Sequence, residues 1–414
     1  MTTDAEVRAE ELARTSYGRL LAILAAASRD IELAEDSLAN AFAQALSTWP
    51  KSGVPQNPDA WLLTVARNHQ RDVVRTAAHR LTVSIHDAAV GNVAEVLDNL
   101  DTDEIPDRRL ALLFVCAHPA IDPVVRTPLM LQTVLGFDAE RIARAFAMPT
   151  STMAQRLVRA KRRIHDAGIP FVVPDRSQMP ARLAPVLEAI YGAYAIDWQV
   201  VAGILERESL AAESHWLAVT LAELLPDEPE VLGLAALISL SLARRPARGS
   251  ASEFVPLAEQ DTSLWDPELI AAGEHYLHRA RSSNTIGRFQ IEAAIQSVHC
   301  ARATSGITDW MALRTLYTAL LSIAPTLGAR VAYAAAVGRL EGPTAGLAAL
   351  DTIAEDALHR FQPAWATRAQ LLFEAGSLSE VLSAYDKAIS LTAHGGERAY
   401  LERRRAGVAG APGT

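Results

Sequence analysis

The sequence predicts an all-α fold: two small helical units, the second a helix-turn-helix, followed by a long helical-repeat array. Three observations predict it. Ala, Leu, Glu and Arg dominate, and apolar residues recur at three- and four-residue spacing. Alternating strand patterns with hairpin turns are nearly absent. A stretch with seven carboxylates and no Lys or Arg, at 81–107, separates two segments that carry basic faces.

The chain has 414 residues, half of them hydrophobic and 21% charged, a globular profile with room for two or three domains. The net charge of −9 argues against a uniformly nucleic-acid-binding surface, so charge has to be read segment by segment. Cys116 and Cys300 stand far apart, forming neither a disulfide framework nor a zinc pattern, and fit a reducing cytoplasm. The acidic N-terminus has no apolar core of a secretory signal, and no apolar run is long enough for a membrane span. His118, His215, His275, His278 and His299 are scattered, and core or surface roles are expected for them. With no nucleophile elbow, P-loop, dinucleotide fingerprint or zinc-ligand cluster, neither an enzyme nor a cofactor site is expected.

The first unit is expected at 1–80. In the string DIELAEDSLANAFAQAL, Leu33, Leu38, Phe42 and Ala45 make an apolar face, with Glu32, Glu35 and Asp36 facing out. In NPDAWLLTVARNHQRDVVRTAAHR, Asn57 caps and Pro58 takes the first helical position. Leu62, Val65, His69 and Val73 form the expected core stripe, and Arg67, Arg71 and Arg75 repeat every four residues along another face. Such a stripe suits phosphates, and Asn68 beside it suits a base edge. A solvated basic face is the bland alternative.

The second unit, 108–169, holds GFDAERIARAFAMPTSTMAQRLVRAKRRI. Asp138 is the expected cap of a short helix whose apolar face is Ile142, Ala143 and Phe146. Met148 and Pro149 break it, and Thr150 or Ser151 caps the next. That next helix turns Met153, Leu157, Ala160 and Ile164 to the core and Thr152, Gln155, Arg156, Arg159 and Arg163 outward, with Lys161 and Arg162 at the flank. A hydroxyl and an amide near the start, followed by arginines, suit base edges first and phosphates next.

The strings AEDSLANAFAQAL, PDAWLLTVARNHQRDVVR and IARAFAMPTSTMAQRLVRAKRRI resemble the two conserved domains of extracytoplasmic-function sigma factors. CAHPAIDP, AGIPFVVP, LLPDEPEVLGLAALISLSLARRPAR, LAEQDTSLWD and QIEAAIQSVHC resemble the subgroup with a long tetratricopeptide-like C-terminal extension. The resemblance implies core RNA polymerase, through its β′ clamp and β flap, and promoter DNA as partners. It places polymerase contacts at Glu32, Glu35, Asp36 and Asn40. It places contacts to the −10 element at Arg67, Asn68, Arg71, Asp72, Arg75 and Arg80. Contacts to the −35 element fall at Ser151, Thr152, Gln155, Arg156, Arg159, Lys161 and Arg163. The chain departs from the family pattern at Ala39-Asn40, Cys116-Ala117, Ala154 and Ala193-Tyr-Ala-Ile-Asp197. These departures leave open a second reading, a repeat scaffold whose sigma-like front end serves as an adaptor without transcription activity.

After a connector at 170–180, the repeat array is expected at 181–405, with a Gly/Pro tail at 406–414. Trp365, Ala369, Gly376, Tyr385 and Ala388 fall at tetratricopeptide spacing, with Val381 in place of a small residue. Helix-pair character is expected at 228–244 and 329–351. Such an array is expected to pack against the basic units and control them in cis, or to receive a protein partner.

Overall fold

Helix forms wherever an apolar stripe follows a competent cap. The computed structural model describes residues 4–80, 105–146, 148–175, 177–198, 205–250, 253–282 and 285–409. Apart from a two-residue antiparallel hairpin, β1 (Gly249–Ser250) with β2 (Glu253–Phe254), the described regular structure is helical. Residues 81–104 of the expected linker lie outside the described residues. Its last three belong to α5 (Ile105–Cys116), because Pro106 suits the first turn of a helix. The chain divides into two compact units, Met1–Ile196 with Glu208–Leu217, and Asp197–Arg207 with Ala218–Thr414.

The first unit contains α1 (Asp4–Thr15), α2 (Tyr17–Ser28), α3 (Ile31–Ser52), α4 (Pro58–Arg80) and α5. It continues through α6 (Pro123–Thr133), α7 (Ala139–Ala145), α8 (Thr150–Asp166) and most of α9 (Pro180–Trp198). Its centre is α2, where Leu20, Leu21, Leu24 and Ala25 are fully buried. A helix apolar on every side must be covered on every side, and α3, α4, α5 and α6 do so. At Gly18 a Cβ would lie 1.9 Å from the Val134 carbonyl oxygen, so only glycine lets α2 meet the end of α6 backbone to backbone. The two helical units expected as separate domains thus share one core.

The unit also takes in residues expected in the array. Arg109 on α5 is buried and paired with Glu213 on α10 (Leu205–Leu224), and its guanidinium lies 5.1 Å over the Trp216 ring. Burial, with Arg19 nearby, pushes the Arg109 pKa down to about 10.

In the second unit, successive helices pack on their neighbours. Segment 228–244, expected as a helix pair, is the single helix α11 (Pro229–Ala243), buried from Val231 to its end. Its partners are α12 (Pro267–Ala280) and α13 (Arg288–Cys300). The Phe289 and Gln290 amides at the start of α13 donate to the Glu230 carboxylate of α11, at 3.0 and 3.1 Å. A neighbouring helix therefore caps an N-terminus whose own cap position is Gly287. The unit continues with α14 (Arg302–Ser305), α15 (Trp310–Ile323), α16 (Leu327–Glu341), α17 (Pro343–Asp351) and α18 (Glu355–Leu358). It ends with α19 (Gln362–Glu374), α20 (Leu378–Leu391) and α21 (Gly395–Ala409). Ala369, Val381, Tyr385 and Ala388 share one core cluster across α19 and α20. Helix α21 extends past the expected start of the tail, and residues 410–414 lie outside the described residues.

Candidate nucleic-acid interface

The short helix α7 begins at Asp138, whose carboxylate accepts from the Arg141 amide at 2.7 Å. It ends at Ala145, leaving Phe146 exposed rather than on the apolar face with Ile142 and Ala143. The break is as expected, but neither hydroxyl caps α8: Pro149 occupies the cap position and Thr150 is already helical. Met153, Leu157, Ala160 and Ile164 are buried, so the stripe read from spacing is the real core face.

On the outer side, Ser151, Gln155, Arg159 and Arg163 are exposed, and Thr152 and Arg156 are half-buried. Arg156, Arg159 and Arg163 line a cleft of about 260 Å³ against Ile121, Asp122 and Val125 at the head of α6. Three guanidinium groups along one helix side form a cationic rail suited to phosphate oxygens. Lys161 is not part of it. Its side chain is 6% exposed, and its Nζ donates to both carboxylate oxygens of Glu35, at 2.7 and 2.6 Å.

That pair also corrects the reading of α3. Asp30 caps this helix by accepting from the Leu33 amide at 3.1 Å. Its buried side is Ile31, Ala34, Ser37, Leu38, Ala41, Ala45 and Trp49, while Leu33 and Phe42 are only half-buried. Asp36 is exposed, and Glu32 and Asn40 are half-buried, Asn40 accepting from Gln44 at 2.8 Å. Glu35, expected to face out, lies at the α8 contact. Burial raises its pKa, against the opposing pull of the Lys161 ammonium.

On α4, Asn57 accepts from the Ala60 amide at 3.1 Å and Pro58 opens the helix as expected. The buried stripe is Leu62, Leu63, Ala66 and Gln70; Val73 is exposed, and Val65 and His69 are half-buried. His69 Nδ1 meets Ser37 Oγ at 3.1 Å, tying α4 to α3, as do the Trp49 and Trp61 rings with centroids 5.4 Å apart. This rotation of the stripe leaves Arg67 and Arg71 half-buried, Asn68 and Asp72 exposed, and Arg75 exposed with a 2.6 Å pair to Asp72. The Arg80 side chain lies outside the described residues.

A second concavity, about 470 Å³, opens in the second unit beside Trp365, Arg368, His359, Glu380 and Ser383. Among the described residues no group of three His, Cys, Asp or Glu could hold a metal ion, and no helix is long and apolar enough to cross a membrane. Sequence reasoning missed the Glu35–Lys161 and Arg109–Glu213 pairs; no local signal joins residues so far apart in the chain.

Residues 182–281, from α9 through α12, match a family model described as a family of unknown function, DUF6596. No solved structure matches the chain. The uncharacterized protein R00370 of Rhizobium meliloti (strain 1021) is 34% identical over 394 residues, covering 93% of this chain and 92% of that protein. Likeness of that extent, running through both units, makes this chain a member of the same protein family as R00370.

Proposed function

We propose that this protein is a sigma-type initiation factor that guides core RNA polymerase to specific promoters, with a cytoplasmic site of action and a tetratricopeptide-like array as its regulatory or partner-binding part. One observation carries the reading: α7, the Pro149 break and α8 form a tight helix-turn-helix whose second helix buries Met153, Leu157, Ala160 and Ile164 and exposes Ser151, Gln155, Arg159 and Arg163. Polar groups near its start suit base edges, and the arginines further on suit the phosphates flanking them. The exposed Asn68 and Arg75 of α4 offer a second, smaller contact to DNA. The carboxylates of α3 offer a surface to polymerase. No covalent chemistry is required of any residue.

The test combines pulldown of core polymerase with retardation of the DNA upstream of the protein's own gene, with and without core enzyme. Retardation that depends on core enzyme and weakens with salt is the expected result. Absence of polymerase binding by the protein in any of its conformations would remove the proposal.

A further inference from the structure

We propose that the concavity between α17, α18, α19 and α20 in the second unit is a binding site for a small organic cation, a protonated amine or guanidinium carried on a flat apolar body. This assigns a ligand class to the array that the proposed function leaves open. Neither polymerase nor DNA enters its test, so the two stand or fall separately.

The concavity holds about 470 Å³, within the range of about 300–1,000 Å³ that small-molecule sites occupy. Its floor is apolar and buried: Leu350 of α17, Leu358 of α18, Ala364 and Leu372 of α19, and Ala384 of α20. Trp365 of α19 makes one wall. Its indole N–H donates to the Leu358 carbonyl at 3.1 Å, which holds the ring in place.

Charge selects the ligand. Arg368 and Asp351 pair at 2.5 Å, and the guanidinium lies 5.9 Å over the Trp365 ring, so that cation is already matched. His359 and Lys387 face each other at 3.4 Å, and Lys387 does not line the cavity. Glu355 and Glu380 are exposed at the rim, and their carboxylates have no hydrogen-bond or ion-pair partner among the described residues. An anion would meet these two carboxylates and would have to displace Asp351 from Arg368; a cation meets both directly. Exposed carboxylates each add little affinity, so the floor and the ring supply the grip and the rim sets the sign of the charge.

The test uses the full-length chain and three probes that share one indole body: tryptamine, the uncharged tryptophol and the anionic indole-3-propionate. Ligand-observed NMR should give tryptamine a dissociation constant below about 1 mM, about fivefold or more tighter than tryptophol, with the propionate weaker still. Glu355→Gln with Glu380→Gln should abolish the preference for tryptamine over tryptophol and leave the thermal melt unchanged. Glu268→Gln with Glu402→Gln, the same loss of charge at exposed sites elsewhere in the second unit, should keep the preference. Ser383→Trp, which fills the mouth from an exposed rim position, should stop all three probes from binding. Absence of tryptamine binding, equal binding of the three probes, a preference that survives Glu355→Gln with Glu380→Gln, or unchanged binding to Ser383→Trp each overturns the proposal. Tighter binding of an acetylated and amidated Leu-Arg-Leu tripeptide than of tryptamine also overturns it, because the site would then belong to a protein partner.

Discussion

On the proposed reading, Gln155 and Arg159 are the residues on which DNA recognition should depend most, because both are exposed and neither supports the core. Replacing either with Ala should weaken retardation of cognate promoter DNA by roughly 1–3 kcal/mol, about 5- to 150-fold, with an unchanged melting temperature. Normal retardation by both variants would mean that α8 does not read bases. Arg156 is a poorer choice than spacing alone suggests, since it is half-buried along the cleft by Asp122. His299 makes a different prediction. Burial, aided by Arg244 and Arg302, pushes its pKa down to about 3. The unfolded chain takes up this proton near pH 6.5, so between those values it binds more protons than the folded chain. The stability tied to a neutral His299 is complete above about pH 6.5 and is lost progressively as pH falls toward 3. Denaturant melts of wild type and His299→Gln at pH 7.5 and 4.5 should show the wild type losing on the order of 2–3 kcal/mol more. Parallel losses in the two proteins would place the acid sensitivity elsewhere.

At the scale of single elements, the local signals were legible and the long-range ones were not. Asn57 and Asp138 cap as their positions require, because a cap involves only residues three or fewer positions away. The α8 stripe was also legible, since one clean face repeats at i, i+4 and i+7. The α4 stripe was misread by about one position. Its apolar residues surround the helix too evenly to fix the phase, and the aliphatic reading favoured Val73 over the buried Gln70. Glu35 and Lys161 looked like solvated charges because nothing nearby in the chain shows that another helix covers them. The close approach at Gly18 can be tested directly. Its missing Cβ faces a backbone oxygen, which cannot swing away, so Gly18→Ala should destabilise the first unit by about 1–3 kcal/mol or force α2 and α6 apart. A thermal melt checks this; an unchanged transition would mean that the two helices do not touch there.

At the scale of the whole chain, the all-helical class was legible from composition and period, whereas the unit boundary was not. The prolines at 170–174 read as a border, yet most of α9 and residues 208–217 of α10 belong with the N-terminal unit. Apolar helices on both sides of a connector look alike in sequence, and only the partner of Arg109 reveals which core they join. A truncation after Pro174 should therefore yield an aggregating or loosely folded product. One ending at Leu217 keeps Glu213 and Trp216 and should melt in a single cooperative step. Equal cooperativity in the two truncations would show that residues 208–217 add nothing to the first unit. The Arg109–Glu213 pair also bears on how the protein is made. A ribosome adding 5–20 residues per second releases α5 roughly 5–20 s before it makes Glu213. Throughout that interval Arg109 lacks the Glu213 carboxylate that neutralises it in the folded unit, although α2, already made, can cover the apolar side of α5. The first unit is therefore complete only when a segment that the sequence pattern assigns to the next domain has been made.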